Sequence, residues 1–356
     1  LTGGTHQLTV NQRPLNATLA RQYDGTTASA GSTLSSFDAL QGGETLTMTG
    51  SGTAASANVA NGITMSSNGN LALADGTGAA SNYSLNSTVI NIAKRVLNSS
   101  GSKLYDANTN ALAGAITLSN LVSGEALNHS GTASTSSANV GSYTISNLTG
   151  ITIADGSGGT ASNYTLTGGT HNFAINQRPL NATLARQYDG TTAAAGSTVS
   201  SFDALQGGET LTMTGSGTAA SANVANGITM SSNGNLALAN GTGAASNYSL
   251  NSTVINIAKR VLNSSGSKIY DANTNALAGA ITLSNLVSGE ALNHSGTATI
   301  SSANAGSYTI SNLSGISIAD GSGGAASNYT LTGGTHNFTI NRRVVSVQGN
   351  KTYDGN

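Results

Sequence analysis

The chain has 356 residues, of which 8% are charged, with 13 Lys and Arg against 14 Asp and Glu, 46 Gly, 2 Pro, no Cys and no Trp. A soluble domain ordinarily carries about 25% charged residues; here Thr, Ser, Asn, Gly and Ala take their place. This composition excludes a disulfide framework and a thiolate metal site, a collagen triplet, a membrane-spanning apolar run and the basic stripe of a nucleic-acid binder.

From the N-terminus, residues 1–12 read as the end of a module whose start precedes Leu1. Residues 13–94 form a first module of odd type. Leu15, Ala17 and Leu19 alternate with polar neighbours and lead into Tyr23-Asp24-Gly25-Thr26-Thr27. Leu46 and Met48, Ile63 and Met65, and Leu71 and Leu73 repeat the alternation, separated by QGGE, SSNGN and ADGTG. A period of two marks half-buried strands, and Gly, Asn, Ser and Asp clusters mark turns. The module closes on SNYSLNSTVINIAK. Residues 95–177 form a second module of even type, with Tyr105-Asp106-Ala107-Asn108-Thr109 early, Ile116 and Leu118, Tyr143 and Ile145, and Ile151 and Ile153 as strand faces, and SNYTL near its end.

The pattern then starts again. Residues 11–27 and 176–192 are identical, and about 14 positions separate 1–165 from 166–330, as expected of a tandem duplication. Module 3 (178–259) is odd, module 4 (260–342) is even, and residues 343–356 begin a fifth. Leu1 corresponds to Leu166 and Leu331 inside a repeat, and Asn356 follows a YDG, so the chain reads as an excerpt of a longer array. Each module of about 82 residues holds six or seven short strands. The expected fold is all-β, a tandem array of small antiparallel β-sandwich modules of immunoglobulin-like outline. A parallel β-helix is the alternative; it calls for a coil repeat near 20 residues, of which only scattered echoes exist.

Few residues carry chemistry. Tyr23, Asp24 and Gly25, Tyr105 and Asp106, Tyr188, Asp189 and Gly190, and Tyr270 and Asp271 read as a structural turn motif, with Asp capping backbone N–H groups and Gly taking the left-handed position. Ala in place of Gly in the even modules predicts a turn that avoids positive φ there. Asp75, Asp155 and Asp320 lie in Ala-Asp-Gly-Ser/Thr-Gly loops that have the composition of a calcium loop. One carboxylate each is few for a cation wanting 6 to 8 oxygens, and Asp75 is Asn240 in its duplicate. Asn-Tyr pairs at Asn82-Tyr83, Asn163-Tyr164, Asn247-Tyr248 and Asn328-Tyr329 place a ring where it would pack the core with its hydroxyl on a backbone group. Arg13, Lys94, Arg95, Arg178, Lys259, Arg260 and Arg343 fall at module junctions, where a salt bridge to an acid such as Glu44 or Glu125 would fix the angle between neighbours. No cofactor is implied, and no nucleophile–base or carboxylate pair can be placed, so the expectation is a non-enzyme.

The order YDG-T-T, S-G-E-x-L, A-N-V-G-S-Y-T-I, G-I-x-I-A-D-G and S-N-Y-T-L, fullest in Arg95–Leu166 and Arg260–Leu331, resembles the YDG/MBG-type repeat domains of filamentous-haemagglutinin-like bacterial adhesins of the two-partner secretion type. The odd modules match at Tyr23-Asp24-Gly25 and Asn82-Tyr83-Ser84-Leu85 and depart between them, where ANVANGITM replaces ANVGSYTI. The resemblance implies an extracellular, cell-surface repeat region of an adhesin or biofilm-matrix protein. The absence of Cys suits export of an unfolded chain. The expected role is a stalk or fibre segment whose partners are neighbouring modules and, in a filament, identical chains, with no nucleic acid and no membrane span. The alternative is a repeat module that binds host or matrix glycans or a surface.

Overall fold

Leu15, Ala17 and Leu19 form the buried face of strand β1 (Arg13–Gln22). Six more strands follow in the first module: β2 (Thr33–Phe37), β3 (Leu46–Thr49), β4 (Thr53–Ala54), β5 (Ala60–Ser67), β6 (Ala72–Asp75) and β7 (Tyr83–Ala93). One sheet has the order β2-β1-β7-β5-β4, and β3 pairs with β6 in a second. Lys94 alone separates β7 from β8 (Arg95–Val96). The second module continues with β9 (Asn98–Leu104), β10 (Asn110–Leu112), β11 (Ile116–Ser119), β12 (Leu127–Ser134), β13 (Gly141–Thr144), β14 (Ile151–Asp155), β15 (Tyr164–Thr165) and β16 (His171–Asn176). Its sheets run β11-β9-β16-β13, β10-β12-β14 and β15-β8. Short 3-10 turns, such as Ala80–Asn82 and Ala161–Asn163, set the Asn-Tyr pairs at strand starts.

The computed structural model describes residues 2–145 and 148–355. Contacts divide the chain into two units, Leu1–Gln177 and Arg178–Asn356. The second repeats the first: Arg178–Gln187 lies beside Tyr248–Ala258, and Asn263–Ile269 beside His336–Asn341.

The fold is all-β, but the sheets are mixed where antiparallel modules were expected. β1 and β7 run parallel over their whole length, from Arg13↔Tyr83 to Gln22↔Ala93, and β9 runs parallel to β16. Period-two alternation reports which face is buried and is blind to strand direction. A parallel neighbour needs a long crossover, and residues 23–82, which carry β2 to β6, provide it.

The core of each unit passes through its module boundary. One cluster joins Leu19, Tyr23, Ala54, Ile90 and Ile92 of the first module to Leu97 and Tyr164 of the second, with Leu118, Leu121, Val122, Leu127 and Ile153 packed against it. In the second unit Leu184, Tyr188, Ile255 and Ile257 join Leu262 and Tyr329 in the same way. Burial of apolar surface is worth about 25 cal/mol per Å², so neighbouring modules within a unit stabilise one another.

Candidate functional site

Several polar groups meet on this seam. Tyr23, directly after β1, is 5% exposed, and the start of β15 supplies Tyr164, which is 1% exposed. Tyr23 Oη donates to Glu125 Oε1 at 2.6 Å and Tyr164 Oη donates to Glu125 Oε2 at 2.7 Å, while Val122 N–H donates to Tyr164 Oη at 3.1 Å. Burial pushes the Tyr164 phenol up to about 12, with the Glu125 carboxylate adding to the effect and the Val122 N–H opposing it. Tyr23 is raised for the same first reason. The second unit reproduces the arrangement with Tyr188, Tyr329 and Glu290, each phenol 2.6 Å from the carboxylate; Tyr329 is likewise raised to about 12, chiefly by burial.

Arg95, Asn163 and Gly25 add further contacts that cross the seam. Arg95 donates through Nε to Asn120 O at 2.6 Å and through Nη2 to Asn120 Oδ1 at 2.9 Å, and its Nη1 reaches Tyr23 O at 3.4 Å. Asn120 sits at φ +66°, a left-handed position that Asn tolerates. Asn163, 1% exposed, accepts from Val59 N–H at 2.9 Å and donates to Asn58 Oδ1 at 3.0 Å. Gly25, at φ +78°, approaches Val122 so closely that a Cβ would lie 2.9 Å from its Cγ1.

The junction residues of the sequence therefore divide. Arg95 and Arg260 work at the seam, but through carbonyls and Asn120 or Asn285; among the described residues neither forms the expected salt bridge to Glu44 or Glu125. Glu125 is held by two phenols instead, and a guanidinium needs no second charge when carbonyl acceptors lie in its plane. Arg13 Nε donates to Ala39 O at 2.9 Å. Arg178 begins the strand Arg178–Gln187. Lys94, Lys259 and Arg343 are exposed.

The turn motif acts as caps. Asp24 Oδ1 accepts from Thr26 N–H at 2.9 Å and Thr26 Oγ1 at 3.0 Å, and pairs with Arg21; Asp189 does the same with Thr191 and Arg186. In the even modules Lys103 Nζ lies 2.7 Å from Asp106 and Lys268 Nζ 2.8 Å from Asp271. Lys268 holds the Asp271 carboxyl below its ordinary value. The expectation that Ala here avoids positive φ is overturned: Ala107 has φ +61° and Ala272 φ +65°. The Lys and Asn contacts clamp this turn, since Lys103 also donates to Asn108 O at 2.8 Å. Tyr105 is 3% exposed and Tyr270 38%.

Asp75, Asp155 and Asp320 each direct Oδ1 at the N–H that opens the following 3-10 turn, on Ala80, Ala161 and Ala326, at 2.7 Å. Asn240 accepts from Ala245 N–H at 2.8 Å in the same place, so the amide replaces the carboxylate without loss of the contact. Among the described residues no three His, Asp or Glu gather as a metal site. His171 and His336 are internal ties, with Nε2–H donating to Leu166 O and Leu331 O at 2.8 Å. The rings of Tyr83, Tyr164, Tyr248 and Tyr329 are buried and unavailable for stacking on a sugar. An open cleft of about 510 Å³ in the third module is lined by Leu184, Val199, Phe202, Met213 and other uncharged residues, with no acid or base among them.

Sequence reasoning placed the Tyr hydroxyls on backbone groups; it missed that one Glu joins two of them across a boundary. The signal lay in the G-E-x-L motif, where Glu44, Glu125, Glu209 and Glu290 stand at one position of the repeat.

Among solved structures the chain is similar to the Bacillus anthracis TIE protein, at 8% identity and a TM-score of 0.19. The match covers 84% of this chain and 57% of that one, and at that score it carries no argument about fold or function. No curated protein matches the chain. The YDG domain model matches four successive segments, residues 6–90, 93–171, 176–255 and 258–336, which place a Glu–Tyr pair in every one, and the chain therefore belongs to the YDG domain family.

Proposed function

We propose that the chain is a non-enzymatic spacer: a stalk or fibre segment of a long extracellular bacterial surface protein of the filamentous-haemagglutinin-like, two-partner-secreted kind, serving adhesion or a biofilm matrix. We infer also that each module is a two-layer β-sandwich, because Leu19, Ile90 and Ile92 of the larger sheet pack with Met48 of the β3–β6 pair in one core. The observation that carries the functional reading is the seam at Glu125, repeated at Glu290. Polar groups that could have made a ligand site are consumed in fixing one module to the next. In repeat proteins stability is a sum of module and interface terms, so such a seam stiffens the array as it lengthens it.

Single-molecule pulling on the full chain tests this. Discrete, repeated unfolding steps are expected. A chain that extends smoothly at low force is no load-bearing spacer. Antibodies raised against the segment are expected to label intact cells of the source organism. A glycan array is expected to stay silent.

A further inference from the structure

The cleft of about 510 Å³ in the third module lies between two strand edges. Among the described residues, Thr198–Phe202 pairs on one side only, with Arg178–Gln187, and Leu211–Thr214 on one side only, with Ala237–Asn240. A cleft over the face of a sheet is lined by alternate residues of its strands. Here residues 197–202 and 210–213 line it without a gap, so the main chain of both edges borders it. Leu184, Val199, Met213 and Leu236 form an apolar wall. The edge Thr198–Phe202 carries neither charge nor proline, the usual guards against strand addition.

The even modules close this flank. His129 stands at the repeat position of Met48 and Met213, and its Nε2–H donates to Ala113 O at 3.0 Å and Ile116 O at 2.9 Å. His294 does the same to Ala278 O and Ile281 O. Ile116 opens β11, which corresponds to Thr198–Phe202, so one imidazole ties the two edges together. Met213 has no N–H for that tie. The odd modules, residues 13–94 and 178–259, differ from each other at three positions, and two of these fall on the cleft. Ser29, whose Oγ accepts from Gly52 N–H at 2.8 Å, is replaced by Ala194, and Leu34 by Val199. Both changes make the third module's cleft roomier and less polar.

We propose that this cleft takes an extended, uncharged peptide as an added strand, with its aliphatic side chains on the apolar wall and its main chain on the edge of Thr198–Phe202. In such a complex main-chain hydrogen bonds supply affinity and pockets for alternate side chains supply selectivity. No acid or base lines the cleft, so a charged residue placed there would lose water and gain no partner. A small aliphatic molecule would use the wall and leave both edges unpaired, whereas a peptide uses wall and edges together. This goes beyond the spacer reading and does not depend on it.

Fluorescence anisotropy on the full chain tests it, with a labelled, end-capped peptide of alternating Thr and Val matched in length to Thr198–Phe202. Saturable binding is expected, with hydrogen exchange slowed at residues 198–202; Ala194 and Val199 give that fragment a mass different from its counterpart in the first module. Val199→Leu is expected to weaken binding about fourfold, the worth of one methylene. Met213→His is expected to abolish binding by restoring the tie, and N-methylation of the peptide amides to abolish it by removing the donors. Absence of saturable binding, binding indifferent to N-methylation, or slowed exchange confined to other residues overturns the proposal. So does protection of 198–202 by decanol and not by the peptide, or by raising the chain's own concentration, since the occupant is then a small aliphatic molecule or a second copy.

Discussion

Tyr23 and Tyr164 meet edge to face, with ring centroids 5.4 Å apart and planes at 79°, and both hydroxyls close on the carboxylate of Glu125. The two rings belong to different modules, so the contact makes a boundary into an interior. A carboxylate accepting two phenols satisfies both oxygens with charge-assisted bonds. Glu125→Gln keeps the shape but leaves one phenol facing an amide N–H₂. It is expected to destabilise the first unit by about 2–3 kcal/mol, read as a lower urea midpoint. Glu290→Gln should do the same to the second unit.

Alkali attacks the same place. The phenols of Tyr164 and Tyr329 are raised to about 12 from an ordinary 10.0, chiefly by burial. A raised folded-state value means the protonated form is favoured by folding. The stability it contributes is complete below pH 10 and is lost as pH rises through about 12. Alkaline unfolding followed by circular dichroism is expected in that window, together with the phenolate absorbance change. Tyr164→Phe should remove part of the pH dependence.

Gly25 is required twice over, by φ +78° and by Val122 at 2.9 Å from a would-be Cβ. Gly25→Ala is expected to cost about 1–3 kcal/mol. Val122→Ala in the same chain should restore part of it, since it removes the clash and leaves the backbone strain.

Ala107 and Ala272 occupy the same left-handed position without glycine. Ala pays about 1–2 kcal/mol there, and glycine loses about 0.5–1 in chain entropy. Ala107→Gly is therefore expected to raise stability by about 0.5–1 kcal/mol, measured by urea denaturation.

Asp75→Asn should be neutral, because Asn240 already makes the same bond to Ala245 N–H. Asp155→Ala should cost about 1 kcal/mol by freeing Ala161 N–H. Calcium is expected to leave the thermal midpoint unchanged; a rise would show that these loops bind the ion.

Much of this was legible in the sequence for a physical reason. Burial faces follow from the alternation of Leu15, Ala17 and Leu19, and the Asp caps follow from turn chemistry. What was hidden is relational. The parallel pairing of β1 with β7 joins residues whose alternation says nothing of direction. The meeting of Tyr23 with Glu125 spans two modules, and a repeat unit read by itself assigns each partner a different role. The positive φ of Ala107 was missed because the residue argued against it, while Lys103 and Asn108 impose it from outside.

The parallel lie of β1 and β7 also decides how the module meets tension. The chain enters at Arg13, where β1 begins, and leaves at Ala93, where β7 ends. Tension drawn through these points slides the two strands along each other, so every rung of the ladder from Arg13↔Tyr83 to Gln22↔Ala93 is strained together. An antiparallel pair entered and left at one edge would part rung by rung. This topology places the chain's hydrogen bonds in shear, the geometry in which a short sheet yields last.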